Sequence, residues 1–154
     1  MQRIIFATIA TLATLALVTS ASWAGNPHLT PSGAEITTSC SDSTVSTSGK
    51  VSGLGNEPQI CVELTATALC INNGGRHPKA VNKSGVSAGG DFPVQNGKAV
   101  FSVEGTATFQ PDCSPPMTVE FQDITLLVTT GTFDGTNCIG GDTLINRDLG
   151  NCTP

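Results

Sequence analysis

Between Gln59 and Cys70 apolar and polar residues alternate. Ile60, Val62, Leu64, Ala66, Ala68 and Cys70 take every second position, and Glu63, Thr65 and Thr67 fill gaps between them. A period of two marks a strand with one face in a core and the other in water. The pattern stops at Asn72-Asn73-Gly74-Gly75, residues that tolerate positive φ or bond to their own backbone, and Pro78 removes a ladder donor. A strand followed by a loop over residues 72–82 is the expected arrangement.

The same reading continues downstream. In Phe92-Pro93-Val94-Gln95-Asn96-Gly97-Lys98-Ala99-Val100-Phe101 an Asn-Gly pair between alternating residues predicts a hairpin with a two-residue type I′ turn, setting Val94 against Ala99 and Phe92 against Phe101. Val103, Ala107 and Phe109 continue on the core side, with Ser102, Glu104, Thr106 and Thr108 outside. Pro93 fits if its missing donor faces an edge or a bulge. Met117, Val119 and Phe121 then alternate with Thr118, Glu120 and Gln122, after which the apolar phase shifts to Ile124, Leu126 and Val128. A one-residue phase change near Asp123 predicts a β-bulge or a bend between two sheets.

Upstream the pattern is weaker. Glu35 to Ser41 and Lys50 to Leu54 are short strand candidates, Ser41-Asp42-Ser43 is a turn, and the polar stretch around them reads as ordered edge strands because Val45, Val51 and Leu54 interrupt it. The tail after Asp134 allows a helical turn or a final edge strand. No segment after the first 24 residues carries sustained helical periodicity. Five to eight short strands punctuated by turns predict an all-β domain, a two-sheet antiparallel sandwich of Ig-like architecture, with a small β-barrel as the alternative.

Composition changes this picture at the N-terminus. Met1-Gln2-Arg3, the apolar run Ile4 to Val18 and the small-x-small site Ser22-Trp23-Ala24 form a secretory signal peptide with cleavage expected after Ala24. The organisation is therefore a signal over 1–24 and one sandwich domain over 25–154. The apolar run is shorter than the ~20 residues that span a bilayer. No other run approaches that length, so no transmembrane segment is expected after signal removal. Loss of Arg3 takes the formal charge from −5 to −6. That balance disfavours nucleic acid and anionic membranes as partners. The single Trp belongs to the signal and Tyr is absent, which removes the usual stacking platforms for sugars and bases. The localisation expected is extracellular, or periplasmic in a two-membrane cell.

An exported chain with 6 cysteines and no C-x-x-C pair predicts three disulfides, not metal ligation. Fifteen pairings are possible. Cys70 ends one strand on its core face and Cys113 lies just past another, which joins them if those strands are neighbours or face each other. Closure of a compact C-terminal loop by Cys138 and Cys152 then leaves Cys40 for Cys61.

The run Gly53-Leu54-Gly55-Asn56, the strand end Thr65-Ala66-Thr67-Ala68-Leu69-Cys70, the loop Asn72-Asn73-Gly74-Gly75 with Pro78 and Asn82-Lys83, and the segment Phe109 to Pro115 around Cys113 together resemble a group of small exported bacterial proteins, largely uncharacterised and without a known activity. The resemblance spans about half of the mature chain. It implies export, a β-rich fold and a Cys70 to Cys113 link, and it transfers no active site.

Candidate chemistry is sparse. His77, between Arg76 and Pro78, is the one histidine away from the N-terminus, and its simplest role is that of a solvated loop residue. His28 sits near an end of the mature chain, where ends are often loose. No nucleophile elbow, zinc helix or phosphate loop occurs. Glu63, Glu104 and Glu120 fall on solvent-side positions that one sheet face would gather, although outward charges ordinarily serve solubility. Asp134-Gly135-Thr136-Asn137, Asp142, Asn146 and Asp148 supply oxygens for calcium, but their spacing misses the EF-hand loop and acidic turns explain them equally. Asn82-Lys83-Ser84 and Asn151-Cys152-Thr153 fit the glycosylation sequon, relevant in a eukaryotic source.

The expected function is that of a non-enzymatic exported module, without cofactor or metal. It would bind an extracellular protein or surface ligand through the loop 72–82 and the residues Asn72, Asn73, Arg76, His77 and Lys79. Two alternatives stand beside it: a small hydrolase using His77 or surface carboxylates, and a structural role in an envelope or matrix.

Overall fold

A computed structural model describes residues 25–30, 36–72 and 82–154. The chain forms ten strands in the order β1 His28–Leu29, β2 Thr37–Ser41, β3 Thr44–Ser52, β4 Gln59–Ile71, β5 Lys83–Pro93, β6 Lys98–Thr106, β7 Thr118–Thr129, β8 Thr132–Phe133, β9 Cys138–Ile139 and β10 Thr143–Cys152. No helix occurs among the described residues. The expected signal, residues 1–24, lies outside them.

Two antiparallel sheets face each other. In the first, β3 pairs along its length with β6, and on its other edge with β2 and, near its end, with β1. The second runs β10-β7-β4-β5. Neither closes into a barrel. Of the polar stretch before Ser52, β2 is an edge strand as expected, but β3 is the centre of its sheet, with Val45, Thr47 and Val51 facing inward while Ser46, Ser48 and Lys50 face out. Apolar side chains of both sheets share one core, in which Phe101, Phe121, Leu54, Ile60, Leu64, Ile124 and Leu126 are the largest fully buried. Each such side chain contributes about 1.5–3 kcal/mol by leaving water. Gly49 stands opposite Phe101 in the ladder, and a Cβ there would come within 2.9 Å of the ring, so the missing side chain leaves room for the aromatic.

The alternation of β4, β6 and β7 is realised. Ile60, Val62, Leu64, Ala66, Ala68 and Cys70 are buried, as are Val103, Ala107 and Phe109. The phase change of β7 is a bulge. Between the pairs Thr65↔Thr125 and Thr67↔Gln122 one strand carries an extra residue, and Asp123 adopts a φ of 53° there. This returns Ile124, Leu126 and Val128 to the core face.

The Asn-Gly turn forms as expected, with φ of 52° at Asn96 and 70° at Gly97, and Gln95 and Lys98 exchange backbone hydrogen bonds of 2.7 and 3.1 Å. The hairpin ladder beyond it does not. After the turn's closing pair, β5 joins β4 and β6 joins β3, so the turn is the corner at which the chain changes sheets. Phe92 and Phe101 still meet edge to face, with centroids 6.2 Å apart, across the core instead of along a ladder. Pro93 is accommodated on β5 because that strand is an edge of the second sheet.

On the outer face of the second sheet, the segment 130–142 carrying the β8–β9 pair folds over β4 and β5. Phe133 packs on Gly89, where a Cβ would come within 2.6 Å of the ring. Asp91 Oδ1 accepts from Phe133 N at 2.9 Å, and Ser87 Oγ donates to the Thr136 carbonyl at 2.9 Å. Cys61 and Glu63 beneath are consequently buried, at 0 and 8 % exposure, instead of wet as the alternation implied.

This cover also decides the disulfides. Cys70 pairs with Cys113, as expected. The other two expected pairs are replaced: Cys61 joins Cys138, fastening the cover to β4, and Cys40 joins Cys152, linking the edge strands β2 and β10 across the two sheets. Cys138 and Cys152 do not close a local loop because β9 lies over the sheet while β10 runs on as its edge. One side of the sandwich is thereby closed by the β5–β6 corner and the other by Cys40–Cys152.

Candidate functional site

Beyond the last rung of the first sheet, the inner side of β6 continues through Ala107 and Phe109, held by an Ala107 N–H bond of 2.8 Å to the Ser43 carbonyl in the β2–β3 turn. The chain then loops over 110–117 and enters β7. Cys113 is anchored to the end of β4 through Cys70, and Met117 Sδ lies 3.7 Å from Cys70 Sγ. Where this loop starts, a groove of about 750 Å³ opens between the ends of the two sheets' core strands.

The groove is the mouth of the core. Its floor is apolar, made by Ala107 and Phe109 from one sheet and Met117 and Val119 from the other. Its rim is polar and acidic: Asp42, Ser43, Thr108, Gln110, Asp112 and Thr118 line it, with Pro115 and Pro154, and among the described lining residues there is no lysine, arginine or histidine. A volume within the ~300–1,000 Å³ of ligand sites, an apolar floor and a few convergent polar groups suit a ligand with an apolar body and either no charge or a positive one.

The expected binding loop leaves the fold at this same end. Ile71, the last residue of β4, pairs with Thr118 of the groove, and β5 resumes at Lys83 opposite Leu69. Asn72 is exposed at the strand's exit. Asn73, Arg76, His77 and Lys79 lie outside the described residues.

The three carboxylates expected on one face do not gather. Glu104 stands on the outer face of the first sheet, opposite Ser46, whereas Glu63 and Glu120 belong to the second. Glu63 Oε2 accepts from Cys138 N at 2.8 Å under the cover, and Glu120 Oε1 accepts from Gln122 Nε2 at 2.7 Å. His28 is held in β1 opposite Ser52 and its Nδ1 donates to the Asn26 carbonyl at 2.6 Å, so it is tied down. Two of the calcium candidates, Asp134 and Asp148, serve as turn acceptors. Asp134 Oδ1 accepts from the Asn137 and Thr136 N–H groups, both at 2.8 Å, and these two bonds, that from Asn137 first, hold its carboxyl below the usual value. Asp148 Oδ1 accepts from Gly150 N at 2.7 Å. Among the described residues no three His, Cys, Asp or Glu side chains converge to hold a metal.

The groove itself escaped the sequence reading. Ala107, Phe109 and Val119 alternate like any core residues, and only the groove that opens beside the loop 110–117 makes them a floor. The Pro- and Cys-rich spacer between two strong strands was the one available signal. No protein-family model, curated protein or solved structure matches this chain.

Proposed function

We infer that the mature chain from Gly25 is an exported, non-enzymatic binding module whose ligand enters the groove between β6 and β7. Export is supported by the signal pattern of residues 1–24 and by the disulfides among all 6 cysteines. No helix among the described residues is long and apolar enough to cross a membrane. The observation that carries the reading is the groove's chemistry, an apolar floor made by both sheets inside an acidic rim. A disulfide fixes one wall to the central strand, so the site is preformed and a ligand gives up little to reorganisation.

The ligand class follows: an extracellular partner presenting an apolar group beside a cationic or hydrogen-bond-donating one. Amide spectra of ¹⁵N-labelled protein, titrated with phenethylamine, test this. Saturable shifts confined to 107–110, 117–119 and the β2–β3 turn, weakened about tenfold by Asp112→Asn, are expected for a charge-assisted contact. Absence of saturable shifts at these positions would contradict it.

A second reading, a small hydrolase, now draws on Asp42 and Asp112, the two carboxylates lining one cavity. Turnover of chromogenic ester or glycoside substrates that Asp42→Asn and Asp112→Asn each abolish would favour it over simple binding.

A further inference from the structure

At the opposite end of the sandwich the charge is reversed. Lys50 of β3 and Lys98 of β6 occupy the same outer face of the first sheet, and the register sets Lys50 against Val100 and Lys98 against Ser52. The two lysines are therefore diagonal neighbours, about 7–8 Å apart at their backbones and within mutual reach of long side chains. Among the described residues neither forms an ion pair. Glu104, the acid on that face of β6, is four residues beyond Val100, roughly 13 Å along the strand. Two like charges so placed favour an anion between them.

A cleft of about 400 Å³ opens beside these side chains, lined by Lys50, Pro93, Gln95, Asn96, Lys98 and Val100. Among the described residues the lining holds two cationic groups and two side-chain amides, and no carboxylate. Val100, beside them, is 70 % exposed, one of two large apolar side chains so open among the described residues. The type I′ turn at Asn96-Gly97 fixes the direction of the strand that carries Lys98 and Val100, so cations and apolar surface keep a set relation.

We propose that this cleft binds a phosphate monoester, the phosphate between Lys50 and Lys98 and the organic part against Val100 and Pro93. The volume exceeds that of a bare phosphate, and the exposed valine supplies an apolar contact that an inorganic ion does not use. The excess of acidic residues elsewhere does not forbid it. At physiological salt charges are screened over about 8 Å, so the nearby lysine pair outweighs a distributed negative charge. This site is separate from the β6–β7 groove and stands whether or not the groove binds a ligand.

The test is an amide-shift titration of the ¹⁵N-labelled mature protein with phenyl phosphate, with benzyl alcohol and sodium chloride at matched ionic strength as controls. The expected result is saturable shifts at Lys50 and across Gln95–Val100 with phenyl phosphate alone, and affinity about tenfold weaker for each of Lys50→Gln and Lys98→Gln. The lysine head groups are in water, so the variants' spectra away from the cleft serve as a check on folding. Shifts equal to those in sodium chloride, or an affinity unchanged in the double variant, would overturn the proposal. Shifts with inorganic phosphate as strong as with phenyl phosphate would overturn the role of Val100.

Discussion

The two sheets of this sandwich present opposite outer faces. That of the first is bare: Ser46, Ser48 and Lys50 on β3 are flanked by Ser102 and Glu104 on β6 and by Thr37 and Ser39 on β2, an open array of hydroxyls and charges. The second sheet carries comparable residues on β4, yet Cys61 and Glu63 are buried, because the segment 130–142 returns from far along the chain and is fastened over them by Cys61–Cys138. The same alternation thus has two outcomes. A period of two tells which residues share a face, and a covering element decides whether the second face meets water.

The largest effect expected of this difference comes from removing the fastener. Replacing both Cys61 and Cys138 by Ser opens a 77-residue separation and costs about 4 kcal/mol in the chain-entropy model. Denaturant unfolding should show that loss, and hydrogen exchange should accelerate first in 130–142 and leave β3 and β6 nearly unchanged. Equal acceleration on both sheets would break the comparison.

Two glycines on β5 sharpen it. A Cβ at Gly89 meets the Phe133 ring and the Val62 carbonyl, each at 2.6 Å, while at Gly85, on the uncovered part of the same strand, it meets nothing within 4 Å. Gly89→Val should destabilise by about 1–3 kcal/mol through overpacking, and Gly85→Val should stay within about 0.5 kcal/mol. Thermal melts of the pair are the measurement.

Glutamates provide the next contrast. Glu63→Leu strips the acceptor from Cys138 N–H under the cover and should cost about 1–3 kcal/mol, whereas Glu104→Leu, on the bare face, should change stability by no more than about 0.5 kcal/mol. Thr47 belongs to neither outer face. Its hydroxyl is buried in the core with no hydrogen-bond partner among the described residues, so Thr47→Val should raise stability by about 1 kcal/mol in urea unfolding.

The smallest effect concerns acid. The Asp134 carboxyl, fully exposed in the covering segment, is held below its ordinary 3.8 by the Asn137 and Thr136 N–H groups. Because the folded value lies below the unfolded one, the turn's support is complete above the unfolded value and is lost as pH falls through the folded one. Exchange in 134–137 should therefore rise below about pH 3.8 in the wild type, and Asp134→Asn should remove that step.

Much of this was legible in the residues. Ile60 to Cys70, Ala99 to Phe109 and the phase change at Asp123 specify strands, faces and a bulge by local sterics alone, and Asn96-Gly97 specifies a turn. What was not legible depends on distant partners. The corner at residues 93–98 sends its two arms to different sheets, which the alternation of Phe92, Val94, Ala99 and Phe101 fits as well as a hairpin does. Cys61 lies on the outer face of its strand, and nothing near it announces that residue 138 will arrive there. The groove floor, too, reads as ordinary core alternation, while most of the expected loop site falls at 73–81, outside the described residues.

Disulfide mapping of the unreduced protein by peptide mass spectrometry tests the arrangement most directly. The cover over the second sheet and the closure of the sandwich's open side require Cys61 joined to Cys138 and Cys40 joined to Cys152, beside Cys70 to Cys113. A Cys138 to Cys152 peptide would contradict both, leaving the segment 130–142 unfastened and Glu63 in water.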